Sequence, residues 1–129
     1  MNLMGDRLEN FKLKQNSARK YYENWRKEKT YSKALSSEIK ITRSGWDHIS
    51  KGSKTKRRRI QDKINRYNLL KCAKFVIKNA KTFSTETRRE VKYFILRENC
   101  KVNGKVRSVK VLIKKDLKGN YIFYSVMKK

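Results

Sequence analysis

The sequence predicts an α+β fold in which N-terminal helices pack on one face of a C-terminal antiparallel four-stranded sheet. Three features carry that reading. The apolar spacing is helical as far as about Lys71 and turns to a period of two afterwards. Asn103-Gly104 and Lys118-Gly119-Asn120 punctuate the alternating runs as turns. Phe, Tyr, Val and Ile concentrate after Leu69, so a core can form although hydrophobic residues are only 37% of the chain and charged residues 36%.

The 129 residues suit one ordinary domain with an appended helix. Residues 1–36 read as a helical N-terminal arm or linker. From Leu8 to about Leu35 the chain is polar and helix-friendly, and Leu8, Phe11, Tyr21, Tyr22 and Trp25 are spaced too loosely for a self-sufficient core helix. Such an arm packs against the domain or a partner, or is what once joined the domain to a carrier. The texture changes at Ser36-Ser37, and residues 37–129 read as the domain proper. Glu38-Ile39-Lys40-Ile41 is a short extended lead-in. Thr42 or Ser44 is placed to cap a short helix carrying Trp46, Asp47, His48 and Ile49, with Asp47 near its positive end. Ile60, Ile64 and Tyr67 resume at helical spacing, which predicts a second helix over roughly 56–71. Four strands follow: Phe75-Val76-Ile77, then, after a polar stretch through Glu90, Val91 to Arg97, Val106 to Ile113 and Tyr121 to Val126.

Charge restricts the function classes most sharply. Lys and Arg number 36 against 11 Asp and Glu, a formal net charge of +25. Such self-repulsion destabilises a compact state unless a polyanion offsets it, and nucleic acid does so with release of condensed counterions. A membrane surface is the weaker alternative, since no helix has a broad apolar face and no lipidation motif or apolar signal core is present. No apolar run reaches transmembrane length. Cys72 and Cys100 belong to no metal-ligand pattern; two unpaired thiols suit a reducing cytoplasm, and a single disulfide is the open alternative.

His48 is the single histidine, so a two-histidine ribonuclease mechanism and a histidine-rich zinc site are both excluded. There is no phosphate-binding glycine loop and no clustered set of carboxylates, so neither metal nor cofactor is expected. Metal-independent phosphodiester cleavage remains. It needs a group to take the 2′-hydroxyl proton, a group to protonate the leaving 5′-oxygen, and cations to stabilise charge on the phosphorane oxygens. His48 is the candidate acid/base, because imidazole titrates near neutrality; the alternative is a helix-surface histidine packed on Trp46. On the strand from Val106, Arg107, Val109, Val111 and Ile113 share the expected core face, while Ser108, Lys110 and Leu112 point the other way. Which set of the last strand is buried, Ile122/Tyr124/Val126 or Tyr121/Phe123/Ser125, stays open. If Ser125 shares the open face with Lys110, the two form a phosphate-binding pair; otherwise that face is an ordinary solvated one. The run of Lys51, Lys54, Lys56, Arg57, Arg58 and Arg59 is a candidate RNA-binding segment or a solvated helix end. Tyr93 and Tyr121 are placed either to stack on bases or to fill the core.

A lead-in, a short helix with Trp46-Asp47-His48-Ile49, a basic helix and a meander ending in Gly119-Asn120-Tyr121-Ile122-Phe123-Tyr124-Ser125-Val126 together resemble the barnase–EndoU–colicin–RelE superfamily of ribonuclease toxins, especially its phage-associated and polymorphic-toxin branches. The likeness covers roughly residues 37–129. It implies a metal-independent ribonuclease fold acting on transfer RNA or other translation components in the cytoplasm, restrained by an acidic immunity protein or antitoxin. By position, His48 resembles the helix-borne histidine, Ser125 the hydroxyl residue of the last strand and Lys110 the basic residue of a central strand, with Lys51 and Arg97 further matches. Many relatives place a second histidine shortly after the first. This chain has Lys51-Gly52-Ser53 there, which leaves the general acid unassigned and keeps a non-catalytic nucleic-acid-binding protein as the alternative.

Overall fold

In the computed structural model, residues 3–51 and 59–128 are described, with side chains from residue 9 onward. The fold is α+β. The chain runs through α1 (Leu3–Arg26), a small hairpin of β1 (Thr30–Ser32) and β2 (Ser37–Ile39), then α2 (Arg43–Lys51), α3 (Ile60–Asn68) and α4 (Leu70–Asn79). It ends in β3 (Ser84–Arg88), β4 (Val91–Val102), β5 (Lys105–Lys115) and β6 (Tyr121–Lys128), an antiparallel sheet ordered β3-β4-β5-β6 among the described residues. No helix among them is long and apolar enough to cross a membrane.

The sheet differs from the sequence-based expectation in which segments supply its strands. Phe75-Val76-Ile77 lies inside α4, not in a strand. Leu70, Ala73, Val76 and Ile77 are its buried positions, a helical spacing, while Phe75 is 43% exposed. A three-residue apolar run does not distinguish a strand from a buried helix segment. The helix expected over 56–71 is interrupted: α3 ends at Asn68, the Leu69 N–H turns back onto the Arg66 carbonyl at 3.1 Å, and α4 starts at Leu70. The missing strand is β3, inside the polar stretch before Glu90. It is an edge strand, mostly exposed, and so carries no apolar alternation.

One face of the sheet meets the helices. Phe94 and Leu96 of β4, Val109, Val111 and Ile113 of β5, and Phe123 and Val126 of β6 belong to one buried cluster with residues of every helix. Phe123 and Val126 share a face although three positions apart, because β6 carries a bulge. Ile113 pairs with Phe123 and Leu112 with Ser125, which leaves Tyr124 unpaired between them. That bulge resolves the ambiguous alternation: neither of the two simple sets is buried as a whole.

Helix α1 contributes Ala18, Tyr22 and Trp25 to the cluster, at i, i+4 and i+7. The same face continues back through Gln15, whose amide donates to the Tyr67 hydroxyl at 2.9 Å, and Tyr67 in turn donates to Ser50 at 3.2 Å. A glutamine and an alanine on this face make its apolar period look irregular in sequence. Burial drives the Tyr22 phenol pKa upward, and its hydroxyl donates to the Thr42 carbonyl ahead of α2. Cys72 on α4 and Cys100 on β4 form a disulfide with Cα atoms 5.9 Å apart, so the two are not free thiols.

The β6 edge is engaged by backbone as well as side chains. Lys40 forms a parallel bridge to Ile122: its N–H donates to the Tyr121 carbonyl at 2.8 Å, and its carbonyl accepts from the Phe123 N–H at 3.0 Å. This contact delivers the chain to α2 beside the last strand.

Candidate nucleic-acid interface

Helix α2 lies close against β6 because Gly45 has no side chain. A Cβ there would stand 2.7 Å from the Phe123 carbonyl oxygen and 2.6 Å from the Tyr22 hydroxyl, distances that only glycine satisfies. The close approach turns Trp46 inward, where it stacks on Tyr67 with ring centroids 5.3 Å apart. The helix starts at Arg43, so Asp47 lies beyond its first turn; it sits 3.8 Å from Lys51 instead of serving the helix start. His48 is partly exposed. Its imidazole lies on the Tyr124 ring, 3.9 Å between centroids. The bulge in β6 and the glycine in α2 thus bring the histidine to the sheet.

Tyr124 is the centre of a cluster on the side of the sheet opposite the core. The Lys114 ammonium lies 4.5 Å from its ring centroid, and the Tyr93 ring is 5.2 Å away. Strand register extends the cluster, since residues directly opposite in antiparallel strands share a face. Glu86, Tyr93, Lys114 and Ile122 form one row; Ser84, Ile95, Leu112 and Ser125 the next; Arg97, Lys110 and Met127 a third. Ile95, Leu112 and Ile122 are buried here beneath longer neighbours, a common arrangement for lysine and arginine stems over apolar surface. Arg97 donates to the Ser84 hydroxyl at 3.1 Å. The Glu86 carboxyl is held below its ordinary pKa, first by the hydrogen bond from Arg88 and further by the nearby positive charges of Arg88, Lys110 and Arg97.

Lys110, Arg97 and Ser125 therefore fall on one face, with His48 reaching its rim from α2 through Tyr124. Ser125, however, is fully buried. Its hydroxyl accepts from Arg66 Nη1 at 2.7 Å, and the same nitrogen donates to the Val126 carbonyl at 2.8 Å. Asp62 steadies the guanidinium from one helical turn away, Nε to Oδ1 3.4 Å. Arg66 is thus a site residue that sequence reasoning missed. Its local signal, an Asp and an Arg four apart on a helix, is that of an ordinary surface ion pair, and only the 59-residue contact to Ser125 reveals it.

In the basic segment, Lys51 and Arg59 are both exposed, Arg59 at the N-cap of α3. Lys54, Lys56, Arg57 and Arg58 lie outside the described residues. The two tyrosines left open by the sequence divide between the faces. Tyr121 packs edge-on to Phe94, 5.1 Å away, beside the core cluster, and Tyr93 stands on the cationic face.

The fold and this face define an α+β domain whose sheet is apolar towards its helices and cationic on its other side. The model of the family described as large polyvalent protein-associated domain 3 matches residues 9–124, and the chain belongs to that family. No curated protein and no solved structure matches the chain.

Proposed function

We propose that this domain is a metal-independent endoribonuclease of the toxin type, with His48 as its acid/base. The observation that carries the reading is the placement of His48 on Tyr124, next in sequence to the Arg66–Ser125 pair and on the face that bears Lys110, Lys114 and Arg97. In the proposed reaction the 2′-hydroxyl attacks the adjacent phosphorus, the bond from phosphorus to the 5′-oxygen breaks, and the hydroxyl proton leaves as the 5′-oxygen gains one. A single imidazole near the phosphate serves one of those transfers. Arg66, fixed by Ser125 and Asp62, and Lys110 offer the positive charge the phosphorane oxygens require. In this arrangement buried Ser125 orients Arg66 instead of meeting the phosphate. The exposed Lys51 and Arg59 extend the contact to the RNA backbone.

The resemblance to the barnase–EndoU–colicin–RelE superfamily supports the same reading and adds its expected context: a phage-associated or polymorphic-toxin domain, an RNA substrate such as transfer RNA, and an acidic immunity protein or antitoxin as partner. Membership in a family named for large polyvalent proteins accords with a toxin-like module.

Incubation of total RNA and purified transfer RNA with the protein in EDTA tests the proposal. Wild type is expected to give discrete fragments ending in 2′,3′-cyclic phosphates, and His48→Ala none. Fragments ending in 3′-hydroxyls overturn the mechanism. One observation favours a second reading, a non-catalytic RNA-binding protein. Lys51, at the place where many of the resembled toxins carry another histidine, sits 3.8 Å from Asp47, and the chain has no second imidazole to offer there. Intact RNA that shifts on a gel decides for that reading.

A further inference from the structure

We infer that Tyr93 is a stacking platform for an unpaired nucleobase, so that the RNA engaged by this face is single-stranded where it crosses the sheet. The inference rests on the proposed RNA-binding role and specifies its substrate class. Tyr124 has the His48 ring 3.9 Å away and the Lys114 ammonium 4.5 Å from its centroid. With both groups that close, the Tyr124 ring is already engaged and serves as a spacer. Tyr93 is the next ring along the face, 5.2 Å from Tyr124 and inclined to it by 46°, and it is only partly buried. It stands one strand in from the β3 edge, in register with Lys114.

An aromatic ring beside lysines on a sheet face has the composition of a single-strand binding surface: the ring takes a base by stacking, and the cations follow the backbone. Lys110 and Lys114, four residues apart on one strand, have Cα atoms about 13 Å apart, a spacing suited to successive phosphates along a nucleic-acid strand. A base resting on Tyr93 is one ring away from His48, with Lys114 between base and backbone. Duplex RNA cannot use this arrangement, because its bases present their faces to each other and not to a protein surface. An acidic protein would satisfy the lysines but has no need of the tyrosine, and that difference makes the inference testable.

The experiment uses a single-stranded RNA containing one 2-aminopurine and 2′-O-methyl ribose throughout, so that it binds without being cleaved, and the duplex of the same sequence. Wild type is expected to quench the 2-aminopurine fluorescence and to bind the single strand more tightly. Tyr93→Ala is expected to lose about tenfold or more in affinity and to lose the quenching. Tyr93→Phe, which keeps the ring and guards against a folding defect, should stay close to wild type. Equal affinity of wild type for duplex and single strand, or Tyr93→Ala binding as tightly as wild type, overturns the platform even if the protein cleaves RNA in EDTA. Quenching that depends on Tyr93 in a protein that cleaves nothing upholds the platform and overturns the nuclease reading. Binding of neither RNA overturns both.

Discussion

Ile113 and Lys114 are neighbours on β5 and face opposite worlds. Ile113 is fully buried in the cluster that joins sheet and helices, and Lys114 covers a tyrosine on the cationic side. On the first face, position follows from water avoidance: apolar residues recur at every second place, and the helices close over them. On the second, position follows from a bulge and a glycine contact that set Tyr124 and His48 together. One face is specified by a repeating pattern, the other by two local departures from pattern.

The comparison breaks first if Ile113 is truncated. Ile113→Ala should cost up to about 5 kcal/mol in chemical unfolding, the range for emptying a fully buried aliphatic site. A cost within experimental error would mean that the face is not close-packed. Loss of the Cys72–Cys100 disulfide, by reduction or by paired serine substitution, comes next. The link closes a span of 28 residues between α4 and β4, and its removal should cost about 3–4 kcal/mol on chain-entropy grounds. That is a fall in midpoint of roughly 10–20 °C for a domain of this size. An unchanged midpoint under reductant would show that the bond contributes nothing to the fold. The smallest effect on stability is expected at Lys114→Gln, within about 0.5 kcal/mol of wild type. There the informative readout is the dependence of RNA affinity on salt, whose logarithmic slope should drop by about one. An unchanged slope would move the RNA off this face.

The parts of the fold that the sequence made legible are those where local chemistry and global packing agree. The β4–β5 turn is an example. Asn103 and Gly104 both have positive φ, 51° and 80°, and Asn-Gly is the pair best able to adopt it. The β3–β4 turn has the same need and no such residues: Arg89 and Glu90 take φ of 49° and 68°. With neither turn residues nor apolar alternation, β3 leaves no signal in the sequence, and Phe75-Val76-Ile77 of α4 reads as a strand in its place. The candidate site divides similarly. His48 stood out as the single histidine, and the Val109-Val111-Ile113 face placed Lys110 opposite the core. Burial of Ser125, the hydrogen bonds from Arg66 to Ser125 and Val126, and the crowding of Tyr124 by His48 and Lys114 depend on contacts between residues far apart in the chain. No local periodicity encodes such contacts.

The bridge from Lys40 to β6 has a consequence for association. The exposed edge of any sheet is a template on which another chain can lay a strand. At β6 that template is already partly occupied: Lys40 takes the Tyr121 carbonyl and the Phe123 N–H, and Arg66 takes the Val126 carbonyl. Strand addition is thereby directed to β3, five residues long and bearing Glu86 and Arg88, with Arg89 just beyond. A second copy arriving there brings its own charge of +25. Long-range repulsion thus guards the edge that the backbone leaves open, and high salt, which screens it, is the condition under which this protein would begin to join edge to edge.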